Sequence, residues 1–106
     1  MRITITTLAL AGLLATAVSG ADANAGKTVY AKSCKACHGP DGAGNPAIAK
    51  MMKVTMKDLK SPEIQAMSDD AIKAVVSDGK GKMKPVASVT GASVDNVVAF
   101  IRTLKQ

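Results

Sequence analysis

The residues whose types and spacing could do chemistry lie together in one short stretch. The chain of 106 residues holds two cysteines and one histidine, and all three fall between Cys34 and His38, in the order C-K-A-C-H. A C-x-x-C-H pattern is the attachment signature of c-type haem. The thiols of Cys34 and Cys37, on one helical turn, can form thioethers with the two vinyl groups of one porphyrin, and the adjacent imidazole can bind the iron. The sequence therefore predicts one covalently attached haem c.

Three other uses of the same residues compete with haem. A structural zinc site normally takes four Cys or His ligands in two pairs, and the sequence has no second pair. A redox dithiol of the thioredoxin kind would accompany a βαβ unit, for which no strand pattern is present. A structural disulfide suits an exported protein, but so small a loop would add little stability. We therefore favour haem over these alternatives.

The sixth ligand of such an iron must be sought elsewhere, because His38 is the only histidine. A methionine, a lysine or the amino terminus could supply it. Methionine often fills gaps in a core, and three methionines with helical spacing suit that role: Met51, Met52 and Met67. Met56 could be core or partly exposed. Met83 differs, because it stands in the segment G-K-G-K-M-K-P, which is too rich in glycine and lysine for a core. Ligation of iron would explain an apolar side chain there, so we predict Met83 as the axial ligand.

The first 23 residues differ in character from the rest. Arg2 precedes an uncharged apolar run from Ile3 to Val18, and residues 21–23 have the small-x-small pattern of a signal-peptidase site. We predict that residues 1–23 are a cleaved signal peptide, with a cut after Gly20 or Ala21 as a second choice. A membrane anchor is the alternative, since the run approaches the minimum spanning length. After cleavage we expect no membrane span and a periplasmic protein.

Helical patterns fill the remainder, residues 24–106, which we predict to be one all-α domain. Start signals occur at Asn24, Asn45-Pro46, Ser61-Pro62 and Ser68. The clearest helix follows Ser93, where apolar residues recur with helical spacing at Val94, Val97, Val98, Ile101 and Leu104. Four to five short helices wrapped round one haem are therefore expected. The porphyrin would supply the bulk that one Tyr, one Phe and no Trp cannot.

The whole of residues 24–106 resembles the small class I c-type cytochromes of bacteria. Gly26 and Tyr30 precede Cys34 by eight and four positions, and Ala99-Phe100 occupies the last helix, as in that family. The resemblance implies that the two terminal helices cross closely at the glycine, with the aromatic rings packed at the crossing. It also implies a loop from Gly39 to Pro46 in which the carbonyl of Pro46 accepts a hydrogen bond from His38. Met83 corresponds to the methionine ligand, although Lys84 here separates it from the proline that often follows directly.

The resemblance and the ligand set together predict an electron carrier and not an enzyme. A haem bound by both His38 and Met83 has no open position for oxygen or substrate. A haem enzyme or gas sensor with a displaceable sixth ligand is the alternative. We expect the lysines at 35, 80, 82 and 84 at the exposed edge of the haem, because the attachment motif and the Met83 segment must both meet it. Together with the net charge of +6, they favour redox partner proteins with an acidic docking face. Scattered lysines and few aromatic residues argue against nucleic acid, and we expect a monomer.

Overall fold

The computed structural model describes residues 20–105, which form six helices and no strand. The helices are α1 (Ala23–Ser33), α2 (Lys35–His38), α3 (Pro46–Met52), α4 (Pro62–Gln65), α5 (Asp69–Asp78) and α6 (Ala92–Thr103). The predicted all-α class is confirmed. The count exceeds the predicted four to five because the backbone leaves the helical conformation at Cys34, with φ −123°, so α2 is a separate turn. Residues 1–19 of the predicted signal peptide lie outside the described residues.

Side-chain caps fix where most of these helices begin. The predicted caps are confirmed for α3, α4 and α5, where Asn45, Ser61 and Ser68 accept hydrogen bonds from backbone N–H groups of the first turn. The prediction of Asn24 as the cap of α1 is wrong. Asp22 takes that place, because its extended backbone lets the carboxylate accept from the N–H groups of residues 24 and 25.

Helices α1 and α6 cross at a glycine. A Cβ on Gly26 would lie 1.8 Å from the carbonyl oxygen of Asn96 and 3.0 Å from the Cβ of Phe100, so no larger residue permits this approach. One turn further on, the rings of Tyr30 and Phe100 pack with centroids 5.0 Å apart. The backbone N–H of Asp22 also donates to the Asn96 side chain at 2.9 Å. The close crossing implied by the family resemblance is thus confirmed.

The apolar core lies between α6 and its neighbours. Four of the five positions of the predicted α6 stripe are buried, and the fifth, Leu104, is half-buried at the end of the helix. Ile72 and Val76 of α5 are buried against this stripe. Each such side chain contributes about 1.5–3 kcal/mol through removal from water. This platform of α1, α5 and α6 supports the loops that carry the remaining functional residues.

Helix α3 is only partly packed. Ile48 and Met52 are half-buried as predicted, but Met51 is 70 % exposed, so its assignment to a buried face is wrong. A helix of seven residues turns a single narrow stripe to the protein, and Met51 falls outside it. None of the helices within residues 20–105 is both long enough and apolar enough to cross a membrane.

Candidate cofactor site

One cavity of about 620 Å³ brings most of the predicted site residues together. Cys34, Cys37, His38 and Met83 all line it, although Met83 is distant from the other three in sequence. The walls are largely aliphatic, contributed by Leu59, Ile64, Ile72, Val75, Val76 and Ile101. A cavity of this size and character is typical of sites for sizeable, mainly apolar cofactors.

The turn that carries the histidine is held by a dense set of hydrogen bonds. The loop after α2 folds back, so that the N–H of Gly44 donates to the carbonyl of His38 at 2.7 Å and the N–H of Asn45 to that of Cys37 at 2.9 Å. The Asn45 side chain donates to the carbonyl of Ala36 at 3.1 Å, and the buried Tyr30 hydroxyl donates to that of Gly39 at 2.5 Å. The carbonyls at the end of α2, which a helix leaves without internal partners, are therefore all satisfied.

His38 presents an imidazole that lacks a partner. Its Nδ1 atom is buried and has no hydrogen-bond partner among the described residues. Burial lowers the pKa of His38 below its ordinary value of 6.5, which favours the neutral form that binds metal. An unpaired buried polar atom costs about 1–3 kcal/mol, so it indicates a site completed by another group. The predicted bond to the carbonyl of Pro46 is not formed here. Pro46 starts α3 beside a separate shallow depression, and its role stays a prediction.

The two cysteines are unpaired in the structure. Cys34 is half-buried and Cys37 is exposed, and both reach the same cavity as His38. Burial, followed by the proximity of Cys37, raises the pKa of the Cys34 thiol to about 11. A reactive dithiol requires a lowered thiol pKa, so this environment does not suit a thiol–disulfide oxidoreductase. Within residues 20–105, no group of three or more His, Cys, Asp or Glu side chains is arranged so that it could hold a metal ion.

Met83 occupies a tight turn on the cavity wall. The backbones of Lys80 and Met83 bond to each other in both directions, at 2.9 and 3.0 Å. Gly79 precedes this turn with φ 78°, and a Cβ there would lie 2.6 Å from the Met83 carbonyl oxygen. Gly79 is therefore required for the turn that places Met83 on the cavity wall.

Three further methionines face the same cavity: Met52, Met56 and Met67. All three are half-buried, so the prediction of a packing role for Met52 and Met67 misses that they also line the site. Contact with the cavity alone does not distinguish Met83 from these three.

Lysines surround the cavity on one side. Lys80, Lys82 and Lys84 line it as predicted, and Lys57, which sequence analysis did not single out, joins them. All four are exposed. Lys35 lies instead with Ala36 and Pro46 at the shallow depression and does not line the cavity. The basic residues at the cavity are therefore those of the methionine turn and of the segment before α4.

These features define a class of protein. Two thiols and an imidazole on one helical turn, beside an aliphatic cavity with a methionine in its wall, fit a covalently attached haem in a small all-helical protein. The lowered pKa of His38 favours the neutral form that such a group needs, and the two unpaired thiols reach the cavity where it would lie. The site and fold together are those of a c-type cytochrome.

Comparison with known proteins agrees with this class. Residues 21–101 match the family model described as cytochrome c oxidase, cbb3-type, subunit III. The chain is 32 % identical over 89 residues to cytochrome c-554(547) of Halothiobacillus neapolitanus, covering 79 % of this chain and 98 % of that protein. The solved KustC0563 c-type cytochrome superimposes with a TM-score of 0.65 at 26 % identity, over 76 % of this chain and 98 % of the other. The chain belongs to this cytochrome c family, and it carries covalently attached haem c.

Proposed function

We propose that the protein is a mobile electron carrier of the periplasm, and not an enzyme, with His38 and Met83 as the two axial ligands. Membership of the cytochrome c family supports haem-based electron transfer. The observation that carries the proposal is the cavity that unites the attachment motif with Met83. Haem c supplies a one-electron change at iron, and a thioether opposite an imidazole raises its reduction potential.

The residues of the chain have distinct parts in this function. Cys34 and Cys37 anchor the porphyrin, while the hydrogen-bonded loop after α2 holds the backbone that carries the His38 side chain. Aliphatic walls exclude water and disfavour the extra charge of the oxidised state. With Met83 in the sixth position, no site is left for a substrate, which is why we propose electron transfer without catalysis.

The lysines beside the cavity support a docking role. Lys57, Lys80, Lys82 and Lys84 are exposed at its edge, where a partner would need to approach for electron transfer. We propose that they steer the protein onto redox partners with an acidic face, which raises association rates more than affinity. The association rate should then fall steeply as salt is added.

The proposed location depends on removal of the leader. A cut after Ala23 would remove Asp22, and with it the cap of α1 and the bond to Asn96. A cut after Gly20 or Ala21, the second choice from the sequence, would leave Asp22 in the protein. We therefore propose cleavage before Asp22, and the intact mass of the exported holoprotein distinguishes it from cleavage after Ala23.

An optical and potentiometric study of the holoprotein tests the proposed function. We expect the oxidised form to show a sulfur-to-iron band at the red end of the visible spectrum, and the reduced form to resist carbon monoxide. We also expect reversible one-electron titration. Rapid binding of carbon monoxide to the reduced protein would instead indicate an open or displaceable sixth position, as in a haem enzyme or gas sensor.

A further inference from the structure

One side chain bridges the two segments on either side of the cavity. The ammonium nitrogen of Lys82 donates to the carbonyl oxygen of Met52 at 2.6 Å, across thirty positions of sequence. Met52 is the last residue of α3, where a helix leaves its carbonyls without internal partners. Lys82 directly precedes Met83. The bridge therefore joins the end of α3 to the turn that carries the proposed ligand.

We propose that Lys82 is a positioning residue for Met83, and that its bond to Met52 holds the methionine turn closed over the cavity. The proposal rests on the proposed function, in which Met83 binds the iron. It gives Lys82 a part beyond the general positive charge that it shares with Lys80 and Lys84. A lysine that served docking alone would not need a fixed carbonyl partner.

The other hydrogen bonds of the turn explain why this bridge matters. The Lys80–Met83 pair lies within the turn itself. The residues on either side of the turn bond to α5. The N–H of Gly79 donates to the Val75 carbonyl and the N–H of Val86 donates to the Val76 carbonyl, both at 2.9 Å. Within residues 20–105, one hydrogen bond joins this turn, residues 80–84, to α3, and it is the bond from Lys82 to Met52. Without that bond, no hydrogen bond would hold the turn against α3.

Helix α3 is a suitable anchor because its other end is fixed to the histidine side. The Oδ1 atom of Asn45 accepts from the N–H groups of Ala47 and Ile48, while its Nδ2 atom donates to the carbonyl of Ala36 in α2. Helix α3 thus extends from the histidine turn to the methionine turn. Lys82 therefore holds the Met83 turn against α3, and Asn45 holds the other end of α3 against α2, the helix that contains His38.

Loss of the bridge should make Met83 easier to displace. An outside ligand can replace the thioether only when the turn opens, so its binding rate reports the population of the open state. One hydrogen bond of typical net strength changes such a population by roughly three- to tenfold. We expect this factor for Lys82→Leu, which keeps an apolar side chain, removes the donor and adds no second thioether beside Met83.

The test measures imidazole binding to the oxidised holoprotein by stopped-flow absorbance. Lys50→Leu is the matched control, since it removes the same charge near the same end of α3, and the exposed Lys50 side chain neither lines the cavity nor makes a hydrogen bond or ion pair within residues 20–105. Lys82→Arg restores a donor of similar reach. We expect a rate three to ten times that of the parent for Lys82→Leu, and a rate within twofold of the parent for the other two. The sulfur-to-iron band, measured on warming, should be lost at a lower temperature in Lys82→Leu alone.

The remaining outcomes separate the two proposals. Equal acceleration in Lys82→Leu and Lys50→Leu would mean that charge alone is responsible, and would overturn the positioning role, as would an unchanged rate in Lys82→Leu. The same measurement on Met83→Ala tests the ligand itself. If Met83→Ala bound imidazole no faster than the parent, Met83 would not be the ligand, and both proposals would fail.

Discussion

The two sides of the cavity are built very differently. On the histidine side, every carbonyl from Lys35 to Gly39 accepts a hydrogen bond, and the donors come from α1, from the following loop and from the Asn45 side chain. On the methionine side, the turn at residues 80–84 has two hydrogen bonds of its own, between the backbones of Lys80 and Met83, and one hydrogen bond to α3, from Lys82 to Met52. Neither side has a strand or long helix to hold its ligand.

This difference indicates where the site can change. A ligand held by many mutually supporting bonds moves only if several break together, whereas a turn held by few bonds opens locally at low cost. The thioethers add a covalent tie to the histidine side alone. We therefore expect ligand exchange and sensitivity to surface substitutions to be confined to the methionine side, while the histidine side determines stability.

The largest expected effect comes from removing the covalent tie. Cys34→Ala combined with Cys37→Ala should give a protein without covalent haem. Because an aliphatic cavity of about 620 Å³ would then be left unfilled, the apoprotein should be largely unfolded. Intact mass and thermal melting followed by circular dichroism check this. A well-folded, cooperatively melting apoprotein would show that the hydrogen bonds of the histidine side suffice without haem.

The next largest effect should come from Asn45, which caps α3 and binds α2 at once. Asn45→Ala removes both interactions, so we expect a loss of about 1–3 kcal/mol in the free energy of unfolding. Urea unfolding of the holoprotein measures it. Asn24→Ala is the control, because Asn24 is exposed and its side chain makes no hydrogen bond within residues 20–105. Equal effects of the two substitutions would contradict the special place of Asn45.

Tyr30→Phe, also on the histidine side, should change how the free energy of unfolding depends on pH. Burial is the main cause that raises the pKa of the Tyr30 hydroxyl to about 12 in the folded protein, from an ordinary value of 10.0. A raised folded pKa means that the hydroxyl's contribution to stability is complete below pH 10 and is lost as the pH rises towards 12. The free energy of unfolding, measured between pH 9 and pH 12 (about the range of these two values), should fall more steeply in the parent than in Tyr30→Phe. Parallel curves would contradict the burial of this hydroxyl.

The smallest effect concerns Asp41, at the exposed edge of the histidine loop. Hydrogen bonds from the N–H of Ala43 and from Lys60 lower the pKa of its carboxyl below the ordinary 3.8. A lowered folded pKa gives stability that is present above 3.8 and is lost as the pH falls through the folded value. In Asp41→Asn, the free energy of unfolding, measured by urea titration at a series of pH values, should therefore fall slightly less steeply below pH 3.8 (about the ordinary value) than in the parent. The difference should be smaller at high salt. A steeper fall in the variant would contradict this.

Local features of this molecule could be predicted from its sequence, whereas contacts between distant segments could not. The haem motif, the caps at Asn45 and Ser68 and the α6 stripe each depend on neighbours within a few positions. The terminal crossing at Gly26 was available only through resemblance to a family. The bond from Asp22 to Asn96 and the bridge from Lys82 to Met52 have no local signature, because each donor has many equivalent acceptors until the fold brings one close.

Arg102 shows the same limit within the core platform. Its guanidinium donates to the carbonyls of Gln65 and Met67 and to the carboxylate of Asp69, at 2.6–3.0 Å, and so ties α6 to the junction of α4 and α5. In the sequence, Arg102 is one basic residue in the last turn of a helix.

The site could also be predicted only in part from the sequence. The motif identifies three of its residues, but four methionines line the cavity, and the sequence argument selects Met83 alone.

The central claim is that Met83 is the sixth ligand, and a substitution series across the cavity methionines tests it most directly. We would record the oxidised spectrum and the reduction potential of Met83→Ala, Met52→Ala, Met56→Ala and Met67→Ala as holoproteins. The account predicts that Met83→Ala alone loses the sulfur-to-iron band, has a lowered potential and binds carbon monoxide when reduced. A parent-like spectrum and potential in Met83→Ala, with loss of the band in one of the other three variants, would contradict it.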